Sequence, residues 1–412
     1  MESVVLKRSV LVVTTFAAFI TPFMGAAVNL ALPAISNDLN ANAVQLNWVV
    51  TVYLVSTAVF MLPFGRLGDI IGRKKVFLTG LILFTLSTSA IAFTKSINSF
   101  LLFRSFQGIA SAMIFGTSMA IITSVFPPGE RGKAMGINIT AVYVGLSSGP
   151  LIGGFLTETF GWRSIFIALI PLGAVAIVLT LTKIKVDWAE AKNKSFNLRV
   201  LFSNRVFSLS SLAAMIHYSA TSAIGFFLSL YLQYLRGYDA QTAGLILMTQ
   251  PIMMALLSIS AGKLSDRINP GHLASTGMAL TSLGIFALTF IDNDTPLIFI
   301  ILILALNGCG FALFSTPNSN AIMSSVQKQY LGIASGMLGT VRMVGQSVSL
   351  GIAMLLITFF IGHEKIQTDN YPELLKTIKT GLAIFALICI PAIFASLARN
   401  KSISKNNSGH EL

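Results

Sequence analysis

Charge is scarce in this sequence. Only 10% of its 412 residues are Asp, Glu, Lys or Arg, against about 25% in a soluble domain. That fraction is too small to coat a water-facing surface of this size, which excludes a soluble globular protein. Cysteine is scarcer still. Cys309 and Cys389 both sit inside apolar runs, so they read as small packing residues and imply neither a disulfide framework nor thiol chemistry. The four histidines (His217, His272, His363 and His410) supply too little material for a histidine metal site. No phosphate-binding loop, metal cluster or nucleophile triad is present, so neither an enzyme nor direct ATP drive is expected, and no cofactor. An acid deep within an apolar stretch is also missing: of the fifteen Asp and Glu, none falls well inside one.

What is there is hydrophobic. Apolar residues make up 54% of the chain, and the mean hydropathy is +0.78. They come in stretches of about 20, long enough for a helix to cross a ~30 Å hydrocarbon core. A helix satisfies its own backbone hydrogen bonds, which makes it the natural spanning element. The pattern predicts an all-α polytopic membrane protein with helices over 10–32, 47–66, 76–94, 99–123, 134–157 and 164–182. They resume over 206–234, 242–263, 272–291, 296–322, 331–361 and 377–398. The first run is too long for a signal-peptide core and no small-residue cleavage site follows it, so it reads as a retained helix.

The net charge of +13 does not point to nucleic acid, because the basic residues lie in short loops between apolar runs. With the N-terminus inside, 20 of the 28 Lys and Arg fall on the inner side and 6 on the outer, with Arg104 and Arg342 inside the membrane. Such a bias marks orientation and places both termini in the cytoplasm. The expected setting is the cell membrane and the expected state a monomer. The polar, basic stretch 183–205 reads as a cytoplasmic linker between bundles at 1–182 and 206–398, with a disordered tail over 399–412.

The two halves repeat one another. Gln107-Gly108 matches Asn307-Gly308, and Gly145 matches Gly345, each 200 residues on. Gly65-Arg66-Leu67-Gly68-Asp69 resembles Gly262-Lys263-Leu264-Ser265-Asp266 at nearly the same offset. Parallel six-helix repeats related by an axis along the membrane normal put a small-molecule site near the midplane. The expected fold is therefore two six-helix bundles with pseudo-two-fold symmetry.

Three motifs carry the chemistry. In the loop after the second helix, Gly65 to Lys75, glycines permit a tight turn and close approach. Asp69 there sits at the C-terminal end of its own helix, where the dipole disfavours a carboxylate, so it needs a partner. Arg73 is one candidate and the start of the eleventh helix, near Gly332, is another. Asp266 and Arg267 form a shorter second copy. Such contacts are expected to act as gates. In the fifth helix Gly145, Gly149 and Gly153 share a face suited to tight packing, and Pro150 removes a backbone donor and bends the helix. In the fourth helix, Arg104-Ser-Phe-Gln107-Gly108 places an arginine roughly 9 Å deep. Arg342 lies near the middle of the eleventh. Intramembrane arginines face a cavity or a partner, so substrate contact or coupling stands beside a satisfied structural role for both. His217, midway along the seventh helix, is a candidate proton carrier or a neutral donor to a facing helix. Asn29, Asn307, Asn318 and Gln346 are read as buried amides that line the cavity or join helices.

These motifs together resemble the major facilitator superfamily, and within it the drug:proton antiporters. The Gly65–Lys75 segment is similar to the family's signature after helix 2. Arg104–Gly108 is similar to its helix 4 motif, and Gly145–Gly154 to the helix 5 motif associated with antiporters. Asn29-Leu-Ala-Leu-Pro33, Trp48 to Tyr53, and Gly332 to Arg342 resemble the fourteen-helix subgroup. The resemblance covers nearly the whole chain and implies rocker-switch efflux, with Tyr53 among the substrate or coupling residues. Two features depart from that subgroup: the linker is too short and polar for two extra helices, and Met24 stands where its helix 1 carries an acid. The expected function is export of small amphipathic compounds, tilted towards neutral or anionic ones, by proton antiport through His217 or Glu158. Uptake or facilitated diffusion of an anionic metabolite, and a non-transporting receptor or partner, are the alternatives.

Overall fold

The computed structural model describes residues 2–41, 43–190, 201–362 and 370–398. The expected tail over 399–412 and the linker residues 191–200 lie outside the described residues.

Among the described residues, twelve helical spans are long and apolar enough to cross a membrane. The first six helices are Glu2–Leu39, Ala43–Ile71, Arg73–Ala92, Ile97–Val125, Arg131–Phe160 and Arg163–Lys183. In the second half, spans 9 to 12 are built on Pro270–Leu288, Leu297–Ser324, Leu331–Phe360 and Tyr371–Ala398. Most run several residues beyond the apolar core that announces them. Hydroxyls inside the spans bond back to their own helix, as Thr14 Oγ1 does to Val10 O at 2.8 Å and Thr88 Oγ1 to Phe84 O at 2.7 Å. This leaves few donors unsatisfied in an apolar surround. Local sequence sets several starts. Asn204 Oδ1 accepts from the Val206 and Phe207 amides at span 7, and Asn269 caps span 9 ahead of Pro270, a placement that suits proline because its missing donor is an orphan there anyway.

Two spans of the second half are discontinuous. Span 7 consists of Arg205–Thr221, Ile224–Leu230 and a π-helical turn, Tyr231–Leu235. Span 8 consists of Ala240–Leu247 and Thr249–Ser265. Unbroken helices were expected at both places. At the first break the Ala223 amide leaves the helical ladder and donates to Ser349 Oγ at 2.9 Å, a tertiary bond that a hydropathy pattern does not reveal.

A second correction concerns Gly65–Lys75. It is not a loop. Gly65 to Ile71 complete the second helix, Gly72 alone links it to the third, and Arg73 begins that helix. Gly72 holds φ at 117°, a conformation open chiefly to glycine, so one residue turns the chain.

The chain divides into two compact units. One holds Met1–Arg199 with Ile322–Thr340, the other Val200–Ala321 with Val341–Leu412. Span 11 thus contributes its first turns to the first unit and its remainder to the second. Within each unit the same close helix contacts recur. A Cβ at Gly108 would meet Tyr53 O and Ser56 Cβ, and one at Gly308 would meet Gln250 O and Met253 Cβ. A Cβ at Gly145 would lie 2.6 Å from Phe19 O, and one at Gly345 would lie 2.7 Å from Met215 O. The backbones approach there because no side chain intervenes.

Candidate functional site

In the first unit, three helix ends meet at Asp69. Its carboxylate is fully buried and accepts four donors. Gly332 N (2.7 Å) and Ile333 N (3.0 Å) come from the start of span 11. Arg73 Nε (3.0 Å) and Nη2 (2.8 Å) complete the set. Helix starts carry unpaired amides and positive potential, so a carboxylate seats well there. Arg73, also fully buried, donates further to Ser124 Oγ at 2.5 Å, to Lys328 O and to Glu190 Oε2 at 3.4 Å. Gly65 admits this arrangement: a Cβ on it would collide with Gly332 O and come within 3.2 Å of Gly336 Cα.

The second copy is looser. Asp266 accepts from Asn320 Nδ2 at 3.4 Å, and Arg267 is exposed.

Arg104 is 1% exposed. Its Nε donates to Val49 O at 3.2 Å and its Nη1 to Gln107 Oε1 at 2.5 Å. Gln107 Nε2 passes the chain on to Thr88 Oγ1 at 2.7 Å. The guanidinium lies 4.5 Å from the centroid of the Tyr53 ring, whose hydroxyl pairs with Ser111 Oγ at 2.8 Å. Arg104, Gln107 and Tyr53 are therefore one network, with a ring face and carbonyl oxygens in place of a counter-ion.

In the second unit the half-buried Arg342 guanidinium stands 5.1 Å over the Tyr218 ring, and the Tyr218 hydroxyl reaches Ser315 Oγ at 3.4 Å. Gln346, one turn along, is half-buried. Each unit thus carries an arginine stacked on a tyrosine, the tyrosine being anchored by a serine. Such a pair offers positive charge with a flat ring, which suits planar or anionic solutes.

His217 is fully buried against Phe314 (4.1 Å), Phe311 (4.7 Å) and the Tyr218 ring (5.9 Å). Neither ring nitrogen has a hydrogen-bond partner. The structure gives it an aromatic box, not the facing acceptor considered from sequence, and a charge there lacks solvation. Asn307 is likewise buried without side-chain partners and sits against Gly284. Asn318 donates to Ser210 O at 3.0 Å and joins spans 10 and 7. Asn29 is exposed and not a buried amide. Met24, one face round, is fully buried.

The glycine seam packs span 5 on span 1. A Cβ at Gly149 would lie 2.6 Å from Ala26 Cβ and 2.9 Å from Phe23 O, and one at Gly153 would lie 2.6 Å from Ala27 Cβ. Pro150 sits inside the continuous helix beside them.

Sequence reasoning missed Tyr218, Thr88, Ser349 and the acids of the linker. Asp187 and Glu190 are acids within the basic linker, with nothing local in the sequence to mark them as partners of the third helix.

Twelve apolar spans among the described residues, buried charges satisfied by helix ends and carbonyls, and, in each unit by itself, an arginine stacked on a tyrosine are the features of a polytopic membrane transporter and not of an enzyme. The chain belongs to the Major Facilitator Superfamily, whose sequence profile matches residues 14–350. It is 28% identical to the riboflavin transporter RibZ of Clostridioides difficile, over 84% of this chain and 87% of that one. It is 26% identical to the tetracenomycin C resistance and export protein of Streptomyces glaucescens, over 84% and 74%. The human organic anion transporter MFSD10 (TETRAN) shares the fold, with a TM-score of 0.75 at 15% identity, over 95% of this chain and 99% of that one.

Proposed function

We infer that the protein exports small amphipathic compounds across the cell membrane by alternating access driven by a proton gradient, with both termini in the cytoplasm. The observation that carries the reading is the seat of Asp69 on the Gly332 and Ile333 amides. It is a carboxylate–helix contact with a ready alternative partner, Arg73, and so a latch that can open without stranding a bare charge. The latch holds the first turns of span 11 to the first unit, and its release frees them to follow the remainder of that helix. Relatives named for resistance and export support the direction.

Among the described residues two cations are buried, Arg73 and Arg104, against a single buried acid, Asp69, and Arg73 is already paired with it, which leaves Arg104 without an acid partner. That balance favours neutral or anionic solutes over lipophilic cations. It also leaves Glu158, exposed on span 5, as the first proton carrier to examine, since His217 is enclosed by rings.

Reconstitution in proteoliposomes with an imposed pH gradient tests this. Gradient-driven flux of a planar amphiphile such as a flavin or an anionic dye is expected. Glu158→Gln is expected to lower it by at least about tenfold, and His217→Phe to leave it within about twofold. Absence of any gradient-dependent flux overturns the export reading. A second reading, uptake of an anionic aromatic metabolite, is favoured by the half-buried Arg342 on Tyr218 and predicts accumulation in cells instead of depletion.

A further inference from the structure

The third helix begins without a cap of its own. Its N-cap position is Gly72, which has no side chain, and no side-chain cap bond forms there. The first helical amides would be orphans, as at any helix start. Both of the first two are instead taken by a segment more than a hundred residues away in sequence, at the start of the linker. Arg73 N donates to Trp188 O at 3.0 Å. Lys74 N donates to Asp187 Oδ1 at 2.9 Å, and the same oxygen accepts Trp188 N at 2.8 Å. The Asp187 carboxylate lies directly over the Gly72 Cα, where any Cβ would strike it. Three residues after Asp187, Glu190 Oε2 reaches Arg73 Nη1 at 3.4 Å. Linker residues 187–190 therefore cover the one-residue joint between spans 2 and 3 and touch the arginine that holds Asp69.

We propose that Asp187 and Glu190 are positioning residues for the Asp69–Arg73 latch: the start of the linker acts as a strap that caps the third helix and fixes Arg73, so the latch holds span 11 only while the strap is seated. The charges explain why it matters. Arg73 is fully buried and divides its donors between Asp69, Ser124, Lys328 O and Glu190. Glu190 keeps the guanidinium turned so that Nε and Nη2 stay on Asp69. Asp187 holds the start of the helix from which Arg73 projects. If the strap lifts, Arg73 loses an ion-pair partner and its backbone loses its acceptor. The Asp69 carboxylate then faces the span 11 amides with a less fixed partner. In this way the linker between the halves is tied to the gate through residues of one unit. The inference rests on the latch proposed above.

Hydrogen–deuterium exchange on the full-length protein in lipid nanodiscs tests it, with Glu190→Gln, Asp187→Asn, the double variant and Asp69→Asn compared. Glu190→Gln is expected to speed exchange over 328–336 about three- to fivefold, the size of a half-exposed ion pair. Asp187→Asn should speed both 72–76 and 328–336, and the double variant should reach about tenfold at the latter. The thermal midpoint should hold in each single linker variant, which separates loss of positioning from general loosening. Faster exchange confined to 72–76 overturns the proposal, because the strap would then be only a cap. Unchanged exchange at both segments overturns it too. Asp69→Asn distinguishes the two layers: if it accelerates 328–336 while the linker variants do not, the strap fails alone. If it leaves 328–336 as in the parent protein, the latch itself fails and the strap with it.

Discussion

Spans 1 and 5 of the first unit and spans 7 and 11 of the second repeat one packing scheme, and one of the differences between the two seams bears directly on the backbone opposite. In the first, Gly149 meets span 1 so closely that its missing Cβ would stand 3.1 Å from Ala27 N, and span 1 runs unbroken from Glu2 to Leu39. In the second, the matching residue is Ser349, and its hydroxyl accepts the matching amide, Ala223 N, at 2.9 Å. There span 7 is broken. A hydroxyl that offers an acceptor beside a helix lets one amide leave its own ladder without going unpaired. Packing geometry alone is neutral between a rod and a hinge. The hydroxyl of Ser349 supplies the acceptor that the break in span 7 needs.

The same contrast appears between spans 4 and 10. Gln107 is satisfied on both sides, by Arg104 and Thr88. Its counterpart Asn307 has Leu304 and Gly284 in those places and makes no side-chain hydrogen bond. The first unit retains a polar network where the second retains only its outline.

Exchanging residues between the repeats breaks or sharpens the comparison. The largest effect is expected for Gly149→Ser, which drives a side chain into the span 1 backbone. A loss of about 3 kcal/mol, the upper end of overpacking, should appear as a lower melting midpoint in detergent. A neutral result would mean that span 1 can open as span 7 does. Ser349→Gly makes the reverse exchange and leaves Ala223 N without its acceptor, a loss of about 1–2 kcal/mol. Amide exchange at 222–224 should rise, unless the helix re-forms its ladder and protection increases. Asn307→Leu removes two unpaired polar atoms and is expected to raise stability by about 1 kcal/mol. The same change at Gln107 should lower it.

The smallest effect concerns pH. The Arg163 side chain, by donating to Asp38 at 2.6 Å, holds that carboxyl below the usual carboxylate range, helped by Trp162 Nε1. A depressed value means the contribution is complete above the ordinary carboxylate pKa and is lost as pH falls through the lowered one. Both groups are more than a third exposed, so solvent screens the pair to well under about 1 kcal/mol. Arg163→Gln should flatten the acid limb of a stability–pH curve by that small amount.

The twelve spans were legible because apolar runs of sufficient length have few other uses in a chain this poor in charge. Their ends were less so. Arg66 and Asp69 read as the edge of the membrane, yet the second helix continues through them to Ile71, since a buried carboxylate with four donors does not need water. Asp69's partner could be inferred from the dipole at a facing helix start. The break in span 7 could not, because Ser349 lies far away in sequence and the small hydroxyl residues at the break, Ser219, Thr221 and Ser222, also occur inside the unbroken spans. The strap was obscured for a related reason: two acids among lysines look like a solvated linker until the uncapped third helix is placed beside them. The exposure of Asn29 was not legible, because an amide in an apolar run carries no mark of which face it occupies.

The chain's three tryptophans occupy three unlike surroundings. Trp48 is half exposed. Trp162 is enclosed by Phe100 and Phe166 with Arg163 stacked on it. Trp188 lies in the strap itself. Replacing the first two with phenylalanine leaves a single tryptophan, at the linker's point of attachment, and with excitation beyond the tyrosine band its emission colour and quenching would report the seating of that segment in real time, without a dye or an added label.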